Sequence, residues 1–216
     1  MSDETGVGSA AAAGPEAREL FGARFPLAVE FYELLAAHGE ERGLIGPREL
    51  PRLWDRHIIN SALLAQVLPE TGTLVDVGSG AGLPGIVLGI ARPQMHVDLI
   101  EPMERRTDWL NEVVSQLELE NVTVKRGRAE EFHDAFEYDF VTARAVAPLD
   151  RLVRWCLPLV VPGGQLLALK GQRAEEELAG ALKALRKFKA ATWEVQELRG
   201  VDDGESTRVV SVVKKK

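Results

Sequence analysis

Apolar and polar positions alternate in two periods from about residue 72 onwards. Short apolar runs, typical of buried strands, are separated by longer stretches with helical spacing. The predicted strands are 74–77, 96–100, 122–125, 140–143, 165–169, 192–197 and 208–213. Helices are predicted at 104–117, 149–159 and 174–188, and a turn at 162–164. Strands separated by helices form a parallel sheet wound on both sides, and the closing pair predicts an antiparallel strand at its edge.

The first 70 residues lack this alternation. Residues 1–14 show no apolar periodicity, which is typical of a disordered leader. Leu27, Phe31 and Leu35 mark one face of a helix, and a second helix includes Leu53 and Ile58. The predicted division is a leader at 1–14, a helical segment at 15–70 packed on the core, and a cofactor-binding domain at 71–216.

A glycine-rich turn follows the first predicted strand. It reads Asp76-Val77-Gly78-Ser79-Gly80-Ala81-Gly82-Leu83-Pro84-Gly85. Glycines adopt positive φ and let a ligand approach the backbone, so this turn predicts a cofactor site built on Asp76, Gly78, Gly80 and Gly82.

Two cofactor classes use such a turn. The stretch from Gly80 to Gly85 matches the dinucleotide fingerprint, a weak signal alone. Asp76 would repel a pyrophosphate, whereas its carboxylate suits a cationic amino-acid ligand. The Asp-x-Gly-x-Gly-x-Gly pattern resembles motif I of class I S-adenosylmethionine-dependent methyltransferases. That resemblance implies their Rossmann-like α/β fold, with a doubly wound and mostly parallel sheet, an antiparallel C-terminal strand, and here added N-terminal helices.

The next two strand ends supply further cofactor candidates. Glu101 lies about 20 residues past the glycines, where a carboxylate binds ribose hydroxyls; the alternative is an acid at a helix N-terminus. Ala129 and Glu130 follow the third strand and are predicted to flank an adenine, although Glu130 is also typical of a first helical turn.

The fourth strand end decides the predicted chemistry. Methyltransferases of exocyclic amines commonly carry Asn/Asp-Pro-Pro-aromatic here, and pyrimidine carbon methylases need a cysteine. This chain has Thr-Ala-Arg-Ala-Val-Ala-Pro at 142–148, with no base or nucleophile. An acceptor such as guanine N7 carries no proton and needs chiefly positioning. We predict that Arg144 and, after the fifth strand, Lys170 act beside the methyl donor as catalytic residues.

Several motifs together resemble the RsmG or GidB family of bacterial 16S ribosomal RNA guanine-N7 methyltransferases. The motifs are the glycine turn, 128–131 (Arg-Ala-Glu-Glu), Arg144-Ala145, 169–171 (Leu-Lys-Gly) and 56–61 (Arg-His-Ile-Ile-Asn-Ser). The resemblance spans about residues 40 to 213. It implies a cytoplasmic enzyme that uses S-adenosylmethionine to methylate one guanine in the decoding region of the small subunit. Family cofactor contacts carry over onto Gly78, Leu83, Ala129, Glu130 and Arg144.

Two departures from the family pattern concern RNA docking. Gly43-Leu44-Ile45 stands where many members have Asn-Leu-Thr, and Asn60-Ser61 where they have Asp-Ser. Both lie outside the cofactor loop.

The net charge of −7 is unusual for a protein that grips naked RNA. Arg48, Arg52, Arg56 and Arg173 are the predicted RNA-binding residues, with a solvated face as the alternative. They would serve a substrate presented by the small ribosomal subunit, which supplies part of the orientation.

The remaining composition narrows the function classes. The single cysteine, Cys156, cannot form an intramolecular disulfide and is predicted to be inert core. His57 lacks a metal-spaced partner, so no metal site is predicted. No apolar stretch is long enough to span a membrane, and we expect a cytoplasmic monomer. A small-molecule methyltransferase is the main alternative, ahead of a non-catalytic binding module and a nicotinamide dehydrogenase.

Overall fold

A computed structural model describes residues 13–144, 146–200 and 206–216. Its longer helices are α1 (Gly14–Phe21), α2 (Phe25–His38), α3 (Gly85–Ala91), α4 (Glu104–Gln116), α5 (Leu149–Cys156) and α6 (Ala174–Lys187). The strands are β1 (Gly72–Val77), β2 (Met95–Glu101), β3 (Val122–Arg126), β4 (Tyr138–Arg144), β5 (Val160–Lys170), β6 (Ala190–Arg199) and β7 (Ser206–Lys214).

The seven strands form one sheet in the order β3-β2-β1-β4-β5-β7-β6. The first five strands pair in parallel, and β7 lies antiparallel between β5 and β6. The predicted doubly wound, mostly parallel sheet with an antiparallel C-terminal strand is confirmed. The carboxyl ends of β1, β2, β4 and β5 therefore lie along one edge.

Two hydrophobic cores cover the two faces of the sheet. On one face, Leu74, Leu99 and Leu169 pack with α1 to α4. On the other face, Val75 and Val141 pack with α5 and α6. Consecutive strand residues alternate between the faces, so Asp76 shares the face of Leu74.

The N-terminal half is helical but more broken than its periodicity predicts. The predicted helical segment at 15–70 begins as two helices, α1 and α2, which are separated at Gly22, whose φ is +51°. The predicted second helix is a succession of short 3-10, π and α turns from 50 to 67, here named the bridging segment. Of the predicted leader, residues 1–12 lie outside the described residues, whereas Ala13 is buried and Gly14 begins α1.

The predicted turn at 162–164 lies within β5. Tyr138 pairs with Val160 and Phe140 pairs with Gln165, so β5 carries three extra residues as a bulge against β4. The glycines of this stretch permit the bulge, since Gly163 has a φ of +85°. Within the described ranges, no helix combines the length and the apolar character needed to cross a bilayer.

Candidate active site at the carboxyl edge of the sheet

The glycine turn leaves β1 and passes over the end of β2. Gly78 N and Ser79 N both donate to Ile100 O, at 2.8 and 3.2 Å. Gly78, Gly80 and Gly82 all have positive φ, at +75°, +54° and +100°. The three glycines are therefore required by the backbone path of the turn.

The four glycines of the turn differ in what surrounds them. A Cβ on Gly78 would lie 2.7 Å from Val146, one on Gly82 2.7 Å from Ile86, and one on Gly85 2.8 Å from Asp76 Oδ2. Among the described residues, a Cβ on Gly80 would meet Gly78 O alone, at 3.7 Å. Gly80 thus lies beside open space, while the others are needed for close packing.

Trp109 of α4 supports the same turn from inside the protein. Its indole Nε1 donates to Ala81 O at 3.1 Å, and the ring is buried. The Arg42 guanidinium lies 5.2 Å from the ring centroid and pairs with Glu112. The N-terminal region is thereby fastened to the helix that supports the cofactor turn.

Asp76 is a fully buried carboxylate at the end of β1. Its Oδ2 accepts from Gly85 N at 3.0 Å, whereas Oδ1 has no hydrogen-bond partner among the described residues. Burial raises the pKa of Asp76 to about 7, although the Gly85 N–H and the nearby Arg144 lower it. A buried, half-satisfied carboxylate suits a positively charged ligand group.

Glu101 ends β2 and contacts both the turn and the next helix. Its Oε2 accepts from Gly80 N at 3.0 Å, and its Oε1 accepts from Met103 N at 3.0 Å, just before α4. Each carboxylate oxygen has a further lone pair. Glu101 therefore holds Gly80 in place and retains acceptor capacity for hydroxyl groups.

The third strand end presents Ala129 and Glu130 on a 3-10 turn. Ala129 is buried and Glu130 is exposed. The acid that caps this turn is Glu131, which accepts from Arg128 N at 2.8 Å. The Glu130 carboxylate is therefore not the group that caps this turn. Leu83, in the glycine turn, is half-buried against the core.

Arg144 ends β4 and is bound to the bridging segment. Its Nη1 donates to His57 O at 3.1 Å and to Ser61 Oγ at 2.9 Å, and its Nη2 donates to Arg56 O at 3.2 Å and to His57 Nδ1 at 2.5 Å. Burial lowers the pKa of Arg144 to about 10, against the opposing effect of Asp76. The side chain remains charged near neutral pH and joins the sheet to the bridging segment.

Lys170 ends β5 and points to the opposite face from Arg144. Arg144 pairs with Leu169, so Lys170 lies one residue out of phase. Its Nζ donates to Ala147 O at 2.7 Å and lies 2.8 Å from Glu177 Oε2. Lys170 thus holds the loop between β4 and α5. This loop includes Val146, which packs against Gly78.

One cavity of about 870 Å³ lies beside these strand ends. It is lined by Glu49, Arg56, His57, Asn60, Arg144, Val146, Ala147, Pro148, Leu169, Lys170, Gly171, Gln172, Glu177, Glu197, Ser206, Thr207 and Arg208. Arg144 and Lys170 share it from opposite faces of the sheet.

The cavity includes only part of the predicted RNA-binding set. Arg56 lines it, with a side chain that is 51% exposed. Arg48, Arg52 and Arg173 are exposed but do not line it, and Arg173 is paired with Glu176. Arg208, which sequence reasoning missed, also lines the cavity.

Comparisons with known proteins agree on one family. The family model described as rRNA small subunit methyltransferase G matches residues 25–204. Two curated proteins named ribosomal RNA small subunit methyltransferase G are similar to this chain. The protein from Beutenbergia cavernae is 53% identical over 96% of this chain and 98% of its own length. The protein from Streptomyces avermitilis is 55% identical over 90% of this chain and 82% of its own length.

Solved structures share the fold at low identity. An O-methyltransferase from Thermotoga maritima has a TM-score of 0.56 at 20% identity, covering 72% of this chain and 64% of that one. The N-methyltransferase NodS from Bradyrhizobium japonicum, in complex with S-adenosyl-L-homocysteine, has a TM-score of 0.55 at 15% identity, covering 84% and 99%. These likenesses concern the architecture.

Proposed function

The chain belongs to the rRNA small subunit methyltransferase G family, and we propose that it transfers the methyl group of S-adenosylmethionine to N7 of a guanine in 16S ribosomal RNA. The observation that carries this proposal is a glycine turn with a buried acid beside a cation-lined cavity. A cysteine-based carbon methylation does not fit. Cys156 is fully buried under the face of the sheet opposite to that of Asp76, and burial raises the pKa of its thiol.

The residues present fit the cofactor. Among the described residues, Asp76 Oδ1 has no hydrogen-bond partner and the space beside Gly80 is open, which suits a cationic ligand lying against the backbone. The proposed binding set is Asp76, Gly78, Gly80, Gly82, Leu83, Glu101, Ala129, Glu130 and Arg144. When bound, S-adenosylmethionine supplies an electrophilic methyl group on a sulfonium.

The chain's own contribution is positioning. Guanine N7 attacks with a lone pair and has no proton to lose, so the reaction requires no general base. Holding two reactants in line lowers the barrier by about 7 kcal/mol or more. Arg144 fixes one wall of the cavity, and Lys170 fixes the loop over Gly78.

The partner is proposed to be the RNA within the small subunit. A net charge of −7 favours a substrate whose surrounding particle supplies orientation. We further propose that the enzyme acts as a monomer in the cytoplasm.

Labelled methyl transfer tests this function directly. Purified protein is incubated with labelled S-adenosylmethionine and small subunits, naked 16S RNA or a nucleic-acid-free metabolite extract. We expect label in RNA, at a guanine whose N7 methylation makes the chain cleavable by borohydride and aniline. Label confined to a metabolite would instead identify a small-molecule methyltransferase.

Cofactor binding should depend on pH through Asp76. Because its pKa is raised to about 7 and a cationic ligand favours the carboxylate, binding releases a proton below that pH. Affinity should rise with pH between about 5.5 and 7.5 and then level. Calorimetry in two buffers of different ionisation enthalpy measures the proton release. Asp76→Asn should bind weakly and without this dependence, and an equal slope in that variant would refute the assignment.

Arg56 should contribute to docking more than Arg173. Arg56 lines the cavity and is half exposed, whereas Arg173 lies outside it and pairs with Glu176. Arg56→Ala should raise the RNA concentration at half-maximal rate and reduce the salt slope by about one. Arg173→Ala is the matched control. A larger increase in the required RNA concentration in Arg173→Ala than in Arg56→Ala would show that the RNA does not bind along the cavity.

A further inference from the structure

His57 lies between an acid and a guanidinium at the cavity wall. Its Nε2 is 2.7 Å from Glu49 Oε2, and its Nδ1 is 2.5 Å from Arg144 Nη2. The imidazole is 15% exposed. Glu49, His57 and Arg144 therefore form a continuous hydrogen-bonded chain, which runs from just before the bridging segment to the end of β4.

The donors in this chain fix the state of the imidazole. A guanidinium only donates, so Nδ1 must accept from Arg144. The single ring proton then sits on Nε2 and is donated to Glu49. With both nitrogens engaged, His57 cannot accept a proton from substrate without breaking its bond to Arg144.

Arg144 depends on this arrangement for its direction. Its other acceptors, His57 O, Arg56 O and Ser61 Oγ, all belong to the same short stretch. We propose that His57 is a positioning residue, whose neutral, Glu49-oriented imidazole aims the Arg144 guanidinium, and that protonation of His57 releases it. The effect on methyl transfer rests on the proposed function, whereas the coupling between the two side chains does not.

The charges around His57 favour its neutral form. Burial and the positive charges of Arg144 and Arg56 lower its pKa, while Glu49 raises it. Glu197 and Arg208 are further charged residues that line the same cavity. At neutral pH the unprotonated Nδ1 accepts a hydrogen bond from Arg144. Protonation of Nδ1 removes this acceptor, and it occurs below the ordinary histidine range because the added proton lies against the positive charge of Arg144.

A nuclear magnetic resonance titration tests the coupling without any substrate. Ring nitrogen shifts should show the Nε2–H tautomer at neutral pH, and the pKa of His57 should rise in Arg144→Met because a donor and a positive charge are removed. An unchanged pKa, or an Nδ1–H tautomer, would overturn the proposal.

Rate profiles test its consequence. The wild-type rate at saturating cofactor and small subunits should be flat from about pH 6.5 to 9 and fall on the acid side. The glutamine of His57→Gln retains a hydrogen-bond acceptor that does not titrate. The rate of this variant should therefore not fall at acid pH. His57→Phe should be about tenfold slower than wild type on the neutral plateau, the loss of one hydrogen bond to a charged group, and this difference should shrink as the wild-type rate falls at acid pH.

Matched controls separate this role from general damage. His133→Gln removes a half-buried histidine outside the cavity, so its acid fall should match wild type. Thermal unfolding checks that His57→Gln and His57→Phe remain folded. An acid fall that persists in His57→Gln would refute the proposal. Absence of methyl transfer in all proteins, with the coupling intact by resonance, would count against the proposed function alone.

Discussion

Replacing Gly80 with valine should abolish cofactor binding while the protein still folds. The position has a φ of +54° and open space where a side chain would lie, so the added methyl groups enter the cofactor site rather than the core. We expect affinity for S-adenosylmethionine to fall by at least about a hundredfold, roughly 2.7 kcal/mol. Isothermal titration calorimetry measures the loss.

A glycine far from the site provides the matched control. Gly22, between α1 and α2, has a φ of +51° and also has nothing within 4 Å of an added Cβ. Gly22→Val and Gly80→Val each place a β-branched residue at positive φ and should lose about 1 to 3 kcal/mol of stability to backbone strain. Only Gly80→Val should lose binding. Tight binding of S-adenosylmethionine by a folded Gly80→Val protein would show that the cofactor site does not lie at this turn.

Replacing Lys170 with methionine should lower both stability and rate. The Lys170 side chain is 7% exposed, and its ammonium is bound to Ala147 O and Glu177. The Glu177 carboxylate also accepts from Leu149 N. Glu177 is 27% exposed, so the loss should be about 2 kcal/mol, below that of a fully buried pair. The loop over Gly78 is then free to shift, and misplacement of about 1 Å costs roughly a hundredfold in rate.

A double variant separates the two losses. Lys170→Met with Glu177→Leu removes the uncompensated charge and should regain stability to within about 1 kcal/mol of wild type. The rate should stay low, because no side chain holds Ala147 O. Lys183→Met on the exposed face of α6 is the control for charge removal. Recovery of the rate in the double variant would show that Lys170 has no part in positioning.

The sheet and its cofactor edge could be predicted because they are written in local patterns. The predicted runs of four to six residues have the length of buried strands, and Asp76 and Glu101 lie at the ends of β1 and β2. The stretch at 162–164 is different. Its glycines are typical of a turn, yet tertiary pairing with β4 draws them into a bulged strand.

The partners of the site residues could not be predicted in the same way. Arg144 is bound to residues more than 80 positions earlier, a separation to which no local pattern is sensitive. The spacing around His57 argues against a metal ligand, but its neighbours in sequence give no sign of Glu49 and Arg144 on its two nitrogens. The capping acid is also ambiguous in sequence, since Glu130 and Glu131 are adjacent and only the structure separates them.

The position of β7 makes the cavity a late product of synthesis. β6 joins the sheet only through β7, and Ser206, Thr207 and Arg208 at the start of β7 complete one cavity wall. A nascent chain that has emerged only as far as Arg199 has a glycine turn but an unpaired β6 and an open wall. The cavity wall is therefore complete only after β7 has been synthesised and has paired between β5 and β6.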